Sequence, residues 1–222
     1  PTIDAQAQLN LAIIPIDANT QWTPIEQEID GVPMVLAPAG CTDMGSSPVA
    51  FQNAYELCVA TASESACQSI PFERESPPTN VCFDEPFWID KYEVSTELFS
   101  TGDSFSDTST AVVSVTWEDA YHHCQARGGR LPAEAEWEYA ARGPDAYIFP
   151  WGNEFDGENL TYRVNAQQPD IVTANPDGAS WIGALNMSGN VWEWTNTEFR
   201  GYPYNANDGR EENTGGLRVI RG

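Results

Sequence analysis

The sequence predicts an α+β fold with few helices. Three observations lead to this prediction. The 222 residues include 17 glycines and 16 prolines, which favour turns and loops over long helices. Short alternating apolar segments predict strands, and only two clear segments carry helical periodicity. The chain is 41% hydrophobic with eight tryptophans, so a single domain of this length can build a real core.

The predicted strands are short and widely spaced. Residues 32–40 are apolar and close in a Gly turn, and residues 87–94 alternate apolar and polar side chains. Residues 217–222 also have strand character, and we expect the domain to continue past them. Between the first two strands, residues 45–80 are rich in Ser, Glu and Pro, which predicts a long inserted loop.

The first predicted helix begins at Thr116. Thr116 and Asp119 have the spacing of a capping box, in which each side chain accepts a hydrogen bond from the other residue's backbone. Apolar residues then follow at the i, i+3, i+4 and i+7 positions of one helix face: Trp117, Ala120, Tyr121 and Cys124.

The second predicted helix starts at Pro132 and ends at Gly143. Proline is favoured in a first helical turn and glycine just past the last one. The charged residues of this helix are spaced for i,i+4 pairing, which predicts a solvated charged face rather than paired catalytic carboxylates. They are Glu134, Glu136, Glu138 and Arg142.

The net charge of −23, from 33 acidic and 10 basic residues, excludes two classes of partner. A negative field of this size repels nucleic acid backbones and anionic membrane surfaces. No segment has the roughly 20 apolar residues of a membrane span, so no membrane insertion is expected. Residues 1–21 alternate weakly and are predicted to be an N-terminal arm or linker, ahead of a domain over residues 22–222.

Five cysteines predict two disulfides and one free thiol. Cys58 and Cys67 bracket a short polar segment, which suits a disulfide-closed hairpin loop. Cys41 follows one predicted strand and Cys82 precedes another, so these two are expected to pair across strand ends. A metal site is the weaker alternative, because there is no C-x-x-C spacing. Cys124 is predicted to be free and buried, and the disulfides favour an extracytoplasmic, oxidising location.

Several sequence blocks together resemble the formylglycine-generating enzymes, also called sulfatase-modifying factors. They occur in the family's order and cover roughly residues 22–222. The most specific blocks are Gly129-Arg130-Leu131-Pro132, Glu136-Trp137-Glu138-Tyr139, Pro150-Trp151-Gly152-Asn153 and Gly189-Asn190-Val191-Trp192-Glu193-Trp194. The resemblance implies a variant of the C-type-lectin fold, with a twisted antiparallel sheet, two main helices and much irregular structure.

The resemblance also implies calcium. In the family, a turn of this kind holds the ion by an Asn side chain, two backbone carbonyls and a Glu, which are oxygen ligands of the type calcium prefers. The matching positions are Asn186, Gly189, Val191 and Glu193. A second family site would use Asn159 and the carbonyl of Leu160. The same block predicts buried Trp192 and Trp194, and Trp137 is expected to be buried as well.

Catalysis is where this chain departs from the family. Active members use copper held by two nearby cysteines, in a segment past the strand that ends here at Gly222. Copper is therefore expected only if a further segment carries that pair. His122 and His123 point about 100° apart on one helix, which excludes an iron site built on both.

Two hypotheses follow from these features. The first is a non-catalytic, calcium-stabilised binding or structural module of a surface or secreted assembly, with a protein partner. The second is the body of a copper-dependent formylglycine-generating oxidase acting on a sulfatase cysteine. Carbohydrate binding cannot be inferred, because a lectin-like fold need not bind sugar.

Overall fold

The computed structural model describes residues 10–61, 64–68, 72–102, 105–162 and 168–222. This part of the chain contains seven strands, five α-helices with both ends described and three short 3-10 helices. The strands are β1 (Glu26–Ile29), β2 (Val32–Ala37), β3 (Gly40–Met44), β4 (Thr79–Phe83), β5 (Phe87–Asp90), β6 (Glu193–Glu198) and β7 (Arg218–Arg221). The helices are α1 (Pro48–Thr61), α2 (Glu64–Gln68), α3 (Thr96–Thr101), α4 (Trp117–Ala126) and α5 (Glu134–Arg142).

The strands form three small antiparallel sheets, with orders β1-β2-β5, β3-β4 and β6-β7. β2 is central in its sheet, with Val35 opposite Glu26 of β1 and Ile89 of β5. The predicted strands near residues 32, 87 and 217 are therefore all present. Antiparallel sheets, few helices and long loops confirm the predicted α+β, C-type-lectin-like fold class.

The main core lies between α5 and the sheet of β2 and β5. Tyr139 of α5 is fully buried, and its ring stacks on Phe83 at a centroid distance of 4.8 Å. The Trp181 indole N–H donates to the Tyr139 carbonyl at 2.8 Å. Trp137 is buried in the same core, as predicted. This packing fixes α5 against the long loop that carries the candidate site.

Residues ahead of the predicted domain boundary contact the domain. Ala12 is fully buried, and Ile16 forms a parallel bridge with Gly40. The Asn19 side chain donates to the Arg142 carbonyl at 3.0 Å, at the end of α5. The described part of the predicted arm, from residue 10 onward, therefore packs on the domain.

Both predicted disulfides are present. Cys41 and Cys82 are directly opposite each other in β3 and β4, with their Cα atoms 4.0 Å apart. They lie within paired strands rather than at strand ends. Cys58 and Cys67 have their Cα atoms 5.8 Å apart and join α1 to α2.

The prediction of a loop over residues 45–80 was wrong. This segment contains α1, which at 14 residues is the longest helix described, and the short α2. Its helical residues include Ala50, Ala54 and Leu57, which are good helix formers. The polar composition marked an exposed segment, and exposure alone does not distinguish a solvated helix from a loop. The Cys58–Cys67 bond accordingly closes a helix pair rather than a hairpin loop.

The two predicted helices are present, with one boundary corrected. Thr116 and Asp119 form the predicted capping box at the start of α4. α5 ends at Gly143 as predicted, but it begins at Glu134 with Ala133 as its N-cap, so Pro132 lies just outside it. Ala133 has no side-chain oxygen to cap the helix.

A residue from β6 satisfies one of the free N–H groups at the start of α5, although it does not take the place of an N-cap side chain. Thr197 Oγ1 accepts a hydrogen bond from the Glu134 backbone N–H at 2.7 Å. Glu136 Oε2 accepts one from the Ala133 N–H at 2.8 Å. The first turn of α5 is thus satisfied partly by a tertiary contact, which ties the helix to the strand that follows the candidate site.

The predicted solvated face of α5 was also wrong. Glu134 and Glu138 are 4% and 3% exposed. Arg221 of β7 forms ion pairs with both, and Glu138 also pairs with Arg142 four residues along the helix. The i,i+4 spacing correctly predicted the Glu138–Arg142 ion pair. The charged face of α5 is nevertheless buried, because Arg221 of β7 packs against it and neutralises its carboxylates.

Candidate functional site

Glu93 holds the turn that carries the predicted calcium ligands. It lies three residues past β5 and is buried. Its Oε2 accepts hydrogen bonds from the side-chain amides of Asn186, at 3.1 Å, and Asn190, at 2.6 Å. Its Oε1 accepts one from the Val191 backbone N–H at 3.2 Å. One carboxylate therefore gathers three residues of the loop over residues 186–191.

The backbone of this turn requires small or flexible residues. Asn186 and Asn190 have positive φ angles of 56° and 59°, which Asn tolerates better than most residues. Gly189 has a φ of 89°, and a Cβ there would clash with the Thr161 carbonyl. The Asn190 N–H donates to that same carbonyl at 2.7 Å. The Asn and Gly residues of the motif thus permit a tight turn against a second loop.

The second loop contains the other two predicted calcium residues. Leu160 is buried and lies against Gly189, and the Asn159 carbonyl lies against Gly178. Leu160 and Thr161 of this loop therefore pack against the turn over residues 186–191, whereas the Asn159 carbonyl lies against Gly178. Residues 163–167 lie outside the described part of the chain.

Glu193 is the first residue of β6, and its carboxylate lies close enough to Glu93 for the two groups to repel each other. Its Oε2 accepts a hydrogen bond from the Trp137 indole N–H at 3.1 Å. Its Oε1 is buried and accepts no hydrogen bond from any residue that the structure describes. Burial raises the pKa of Glu193, and burial together with repulsion from Glu193 raises the pKa of Glu93. This pair of carboxylates favours a positive charge between or beside them.

These observations fit a cation bound at the turn. Asn186 and Val191 contact Glu93, Glu193 lies close to it, and Gly189 lies within the same turn. The donor set consists of oxygens, which suit calcium. The described residues contain no group of three or more His, Cys, Asp or Glu side chains placed to hold a metal. That finding does not bear on the predicted site, which uses one carboxylate, one amide and two carbonyls.

A cavity of about 520 Å³ opens beside Glu93 and Glu193. It lies between β5, α4 and the start of β6, and most of its wall is apolar. The residues that matter for its chemistry are Phe99, His123, Cys124, Trp137, Met187 and Trp194. A largely apolar cavity with a few converging polar groups is the usual form of a small-ligand site.

The prediction of buried tryptophans was correct for Trp137 and wrong for Trp192. Trp192 is 71% exposed; it lies just before β6 and lines the cavity. Trp194 is half-buried, and its indole N–H donates to the Val115 carbonyl at 3.1 Å. Trp192, Glu193 and Trp194 all line the cavity.

The free cysteine is half-buried rather than fully buried. Cys124 lies on α4 at the cavity wall, and burial raises its pKa to about 11. The other four cysteines are in the two disulfides. None of the five cysteines therefore has a second free thiol as a neighbour.

Sequence reasoning missed Glu93 as a site residue. The only signal was its position within the predicted strand over residues 87–94, where an acidic residue is ordinary on a solvated face. Its role depends on Asn186, which is 93 residues away in the chain. No local spacing could have indicated that contact.

The small antiparallel sheets, together with the irregular turn over residues 186–191 that Glu93 holds, define an α+β domain of the C-type-lectin-like class. Comparison with known families identifies it further, because the sulfatase-modifying factor enzyme 1-like domain matches residues 21–222. The chain belongs to this family, as its sequence blocks predicted. The structure of PvdO from Pseudomonas aeruginosa has the same fold, with a TM-score of 0.60 and 21% identity over 90% of this chain and 86% of that one.

Relatives of this chain include active and inactive proteins by name. A formylglycine-generating enzyme of Mycobacterium tuberculosis is 37% identical over 110 residues, which is 44% of this chain and 36% of that protein. An inactive C-alpha-formylglycine-generating enzyme 2 of Bos taurus is 38% identical over 102 residues, which is 40% of this chain and 33% of that protein. The chain thus spans about a third of the length of these relatives.

Proposed function

We propose that this domain is a non-catalytic binding or structural module of an extracellular or cell-surface protein, stabilised by disulfides and calcium. The observation that carries the proposal is the state of the five cysteines within residues 1–222, which include no pair of free thiols. The family's copper chemistry needs two neighbouring thiolates, the soft ligands that select Cu(I). Four cysteines of this chain are oxidised, and Cys124 is alone with a raised pKa.

The residues of the turn support calcium as the stabilising ion. The ion would be held by Asn186, Gly189, Val191 and Glu193. Glu193 Oε1 is buried and accepts no hydrogen bond from the described residues, so it is free to coordinate a cation. Bound calcium would neutralise the carboxylate charge and cross-link a loop that has little regular secondary structure. Asn159 and Leu160 lie on the adjoining loop, where they could hold a second ion.

Thermal unfolding with and without calcium tests this part of the proposal. An ion that binds only the native state, at 100 times its Kd, stabilises it by about 2.7 kcal/mol, or about 5–10 °C for a domain of this length. We expect a chelator to lower the melting temperature by that amount. In Glu193→Ala the calcium response should disappear, whereas in the exposed control Glu154→Ala it should persist. Equal responses in both variants would contradict the calcium site.

The extracytoplasmic location rests on the two disulfides, since such bonds persist in oxidising compartments. None of the helices in the described ranges is both long and apolar enough to span a bilayer. A protein partner or assembly subunit is the binding target that the module proposal implies. The charge of −23 disfavours nucleic acid as that target.

The second candidate function is the body of a formylglycine-generating oxidase. It is favoured by the 37% identity to the mycobacterial enzyme over 110 residues. To separate the two functions, the chain is incubated with copper, a reductant, dioxygen as the oxidant and a peptide carrying a sulfatase-type cysteine. The mycobacterial enzyme serves as the positive control. We expect the peptide mass to stay unchanged with this chain, and conversion of the cysteine to an aldehyde would establish the oxidase instead.

A further inference from the structure

A second cavity, of about 410 Å³, is lined by residues of α1, the 3-10 helix Phe72–Glu75 and β7. It shares no wall residue with the cavity beside Glu93. Four arginines lie on its wall, although the chain has 10 basic residues against 33 acidic ones. They are Arg74, Arg200, Arg218 and Arg221. Positive charge is therefore concentrated in one cavity of a strongly acidic protein.

Two of these arginines have carboxylate partners. Arg221 forms ion pairs with Glu75 and Glu134, which are the two acidic residues of the wall. Arg200 pairs with Glu198 at 2.7 Å. Both wall carboxylates are thus neutralised from within the protein, and neither needs a cation from outside.

The other two arginines, Arg74 and Arg218, lack a carboxylate partner among the described residues. Every other lysine and arginine that the structure describes forms an ion pair. Arg74 contacts the face of the Phe199 ring, with its guanidinium carbon 5.7 Å from the ring centroid. Arg218 donates to the Asn213 side-chain oxygen at 3.0 Å and to backbone carbonyls, and Glu198 acts on it electrostatically without pairing with it. Two cations in this state on one wall are complementary to an anion from outside the chain.

The rest of the wall describes the body of that anion. Phe199 and Ile220 are 46% and 41% exposed, and Ala54 and Val219 extend the apolar wall. An apolar stem or ring gains from leaving water there, and the volume is within the usual range for small-ligand sites. The planar guanidinium of arginine matches a carboxylate, to which it can donate two parallel hydrogen bonds.

The charge of the whole chain favours a carboxylate over a phosphate ester. A phosphate monoester carries about two negative charges at pH 7, whereas a carboxylate carries one. The surrounding net charge of −23 repels the dianion more strongly than the monoanion. The wall therefore fits a monoanion on an apolar body.

We propose that this cavity binds a carboxylate carried on an apolar body, with the Arg74 guanidinium donating hydrogen bonds to it. Arg218 adds positive charge to the same wall, although its guanidinium lies over the Trp117 ring at 4.2 Å. The carboxylate belongs either to a free organic acid or to the C-terminal residue of a polypeptide. The inference gives the proposed binding module a ligand class, and it rests on that proposal to this extent.

Fluorine-19 nuclear magnetic resonance of a small acid tests the inference on the intact chain. The probe is 3-(4-fluorophenyl)propionate, and its primary amide is the neutral control. We expect saturable binding of the acid and none of the amide. Arg74→Gln should weaken binding at least about tenfold, the loss expected for one charged hydrogen-bonding group. Lys91→Gln removes the same charge outside the cavity and should leave the affinity unchanged.

A peptide arm distinguishes the two sources of the carboxylate. The peptide Gly-Ser-Gly-Phe with a free C-terminus is compared with its C-terminal amide. Free peptide that binds at least about tenfold more tightly than the small acid assigns a polypeptide terminus, and any weaker binding assigns a free acid. Equal binding of charged and neutral probes, no saturable binding of either acid, or equal losses in Arg74→Gln and Lys91→Gln overturns the inference.

The calcium proposal fails or stands separately, because the cavity contains no residue of the turn over residues 186–193. Binding of the acid should therefore be the same with and without chelator. A chain that is stabilised by calcium but binds neither acid refutes the cavity inference alone. A chain that binds the acid but melts identically with and without chelator refutes the calcium site alone.

Discussion

Removal of Arg221 should destabilise the domain more than removal of any exposed basic residue. Its side chain is 11% exposed and pairs with Glu134 and Glu138, whose side chains are 5% and 4% exposed. In the Arg221→Met variant, Glu138 still has its ion pair with Arg142. The Glu134 carboxylate then has no cationic partner among the described residues, and it accepts a hydrogen bond from the Tyr202 hydroxyl at 3.4 Å. A buried carboxylate left without its cation costs about 3–5 kcal/mol, and we expect a loss of this size.

Urea unfolding followed by tryptophan fluorescence at pH 7 measures the loss. Lys91→Met is the matched control, because Lys91 pairs with Glu26 at 2.6 Å at the surface, where the partner is 49% exposed. That pair should contribute less than about 1 kcal/mol. Adding Glu134→Gln to Arg221→Met should restore part of the lost stability, since it removes the uncompensated charge.

The effect of Arg221→Met should also depend on pH. Burial raises the pKa of Glu134, and Arg221 opposes that rise. Without Arg221 the folded pKa of Glu134 moves further above its unfolded value. Such a group contributes stability that is present below the unfolded pKa and is lost as pH rises. The gap between variant and wild type should therefore be smaller at pH 5 than at pH 8. A gap under 1 kcal/mol, or one equal at both pH values, would refute the reasoning.

Three further predictions concern the disulfides, the cap of α5 and the paired carboxylates. Cys82→Ala removes a disulfide with a sequence separation of 41, and it should lower the free energy of unfolding by about 4 kcal/mol. Cys67→Ala removes one with a separation of 9 and should lower it by about 3 kcal/mol. Denaturant unfolding under non-reducing conditions measures which variant loses more stability. Ala133→Thr should stabilise the domain by about 1 kcal/mol by supplying an N-cap oxygen, and no rise in melting temperature would contradict this. Burial raises the pKa of Glu193 to about 7 and, with repulsion between the two groups, that of Glu93 to about 8, so with chelator present stability should fall as pH rises from 6 to 8. Glu193→Gln should flatten that fall, and an unchanged slope would count against the pairing.

The sequence alone determined the features that depend on neighbours in the chain. The capping box of Thr116 and Asp119 needs only a three-residue spacing, and Gly143 ends α5 because glycine adopts its backbone angles freely. Both disulfides were also predicted, from the short spacing of Cys58 and Cys67 and from the positions of Cys41 and Cys82 beside predicted strands. The family blocks then supplied the fold class, which the structure confirms.

Only the tertiary structure decided which charges are buried and what they face. Arg221 is 87 residues from Glu134, and Glu93 is 93 residues from Asn186. A helical charge pattern specifies which side chains share a face, but not whether another strand covers that face. The same limit applies to Trp192, which is exposed although its neighbours in the sequence predicted a buried side chain. Burial and long-range electrostatics are set by the packing of segments that are distant in the sequence. The spacing of residues along the chain therefore does not predict them.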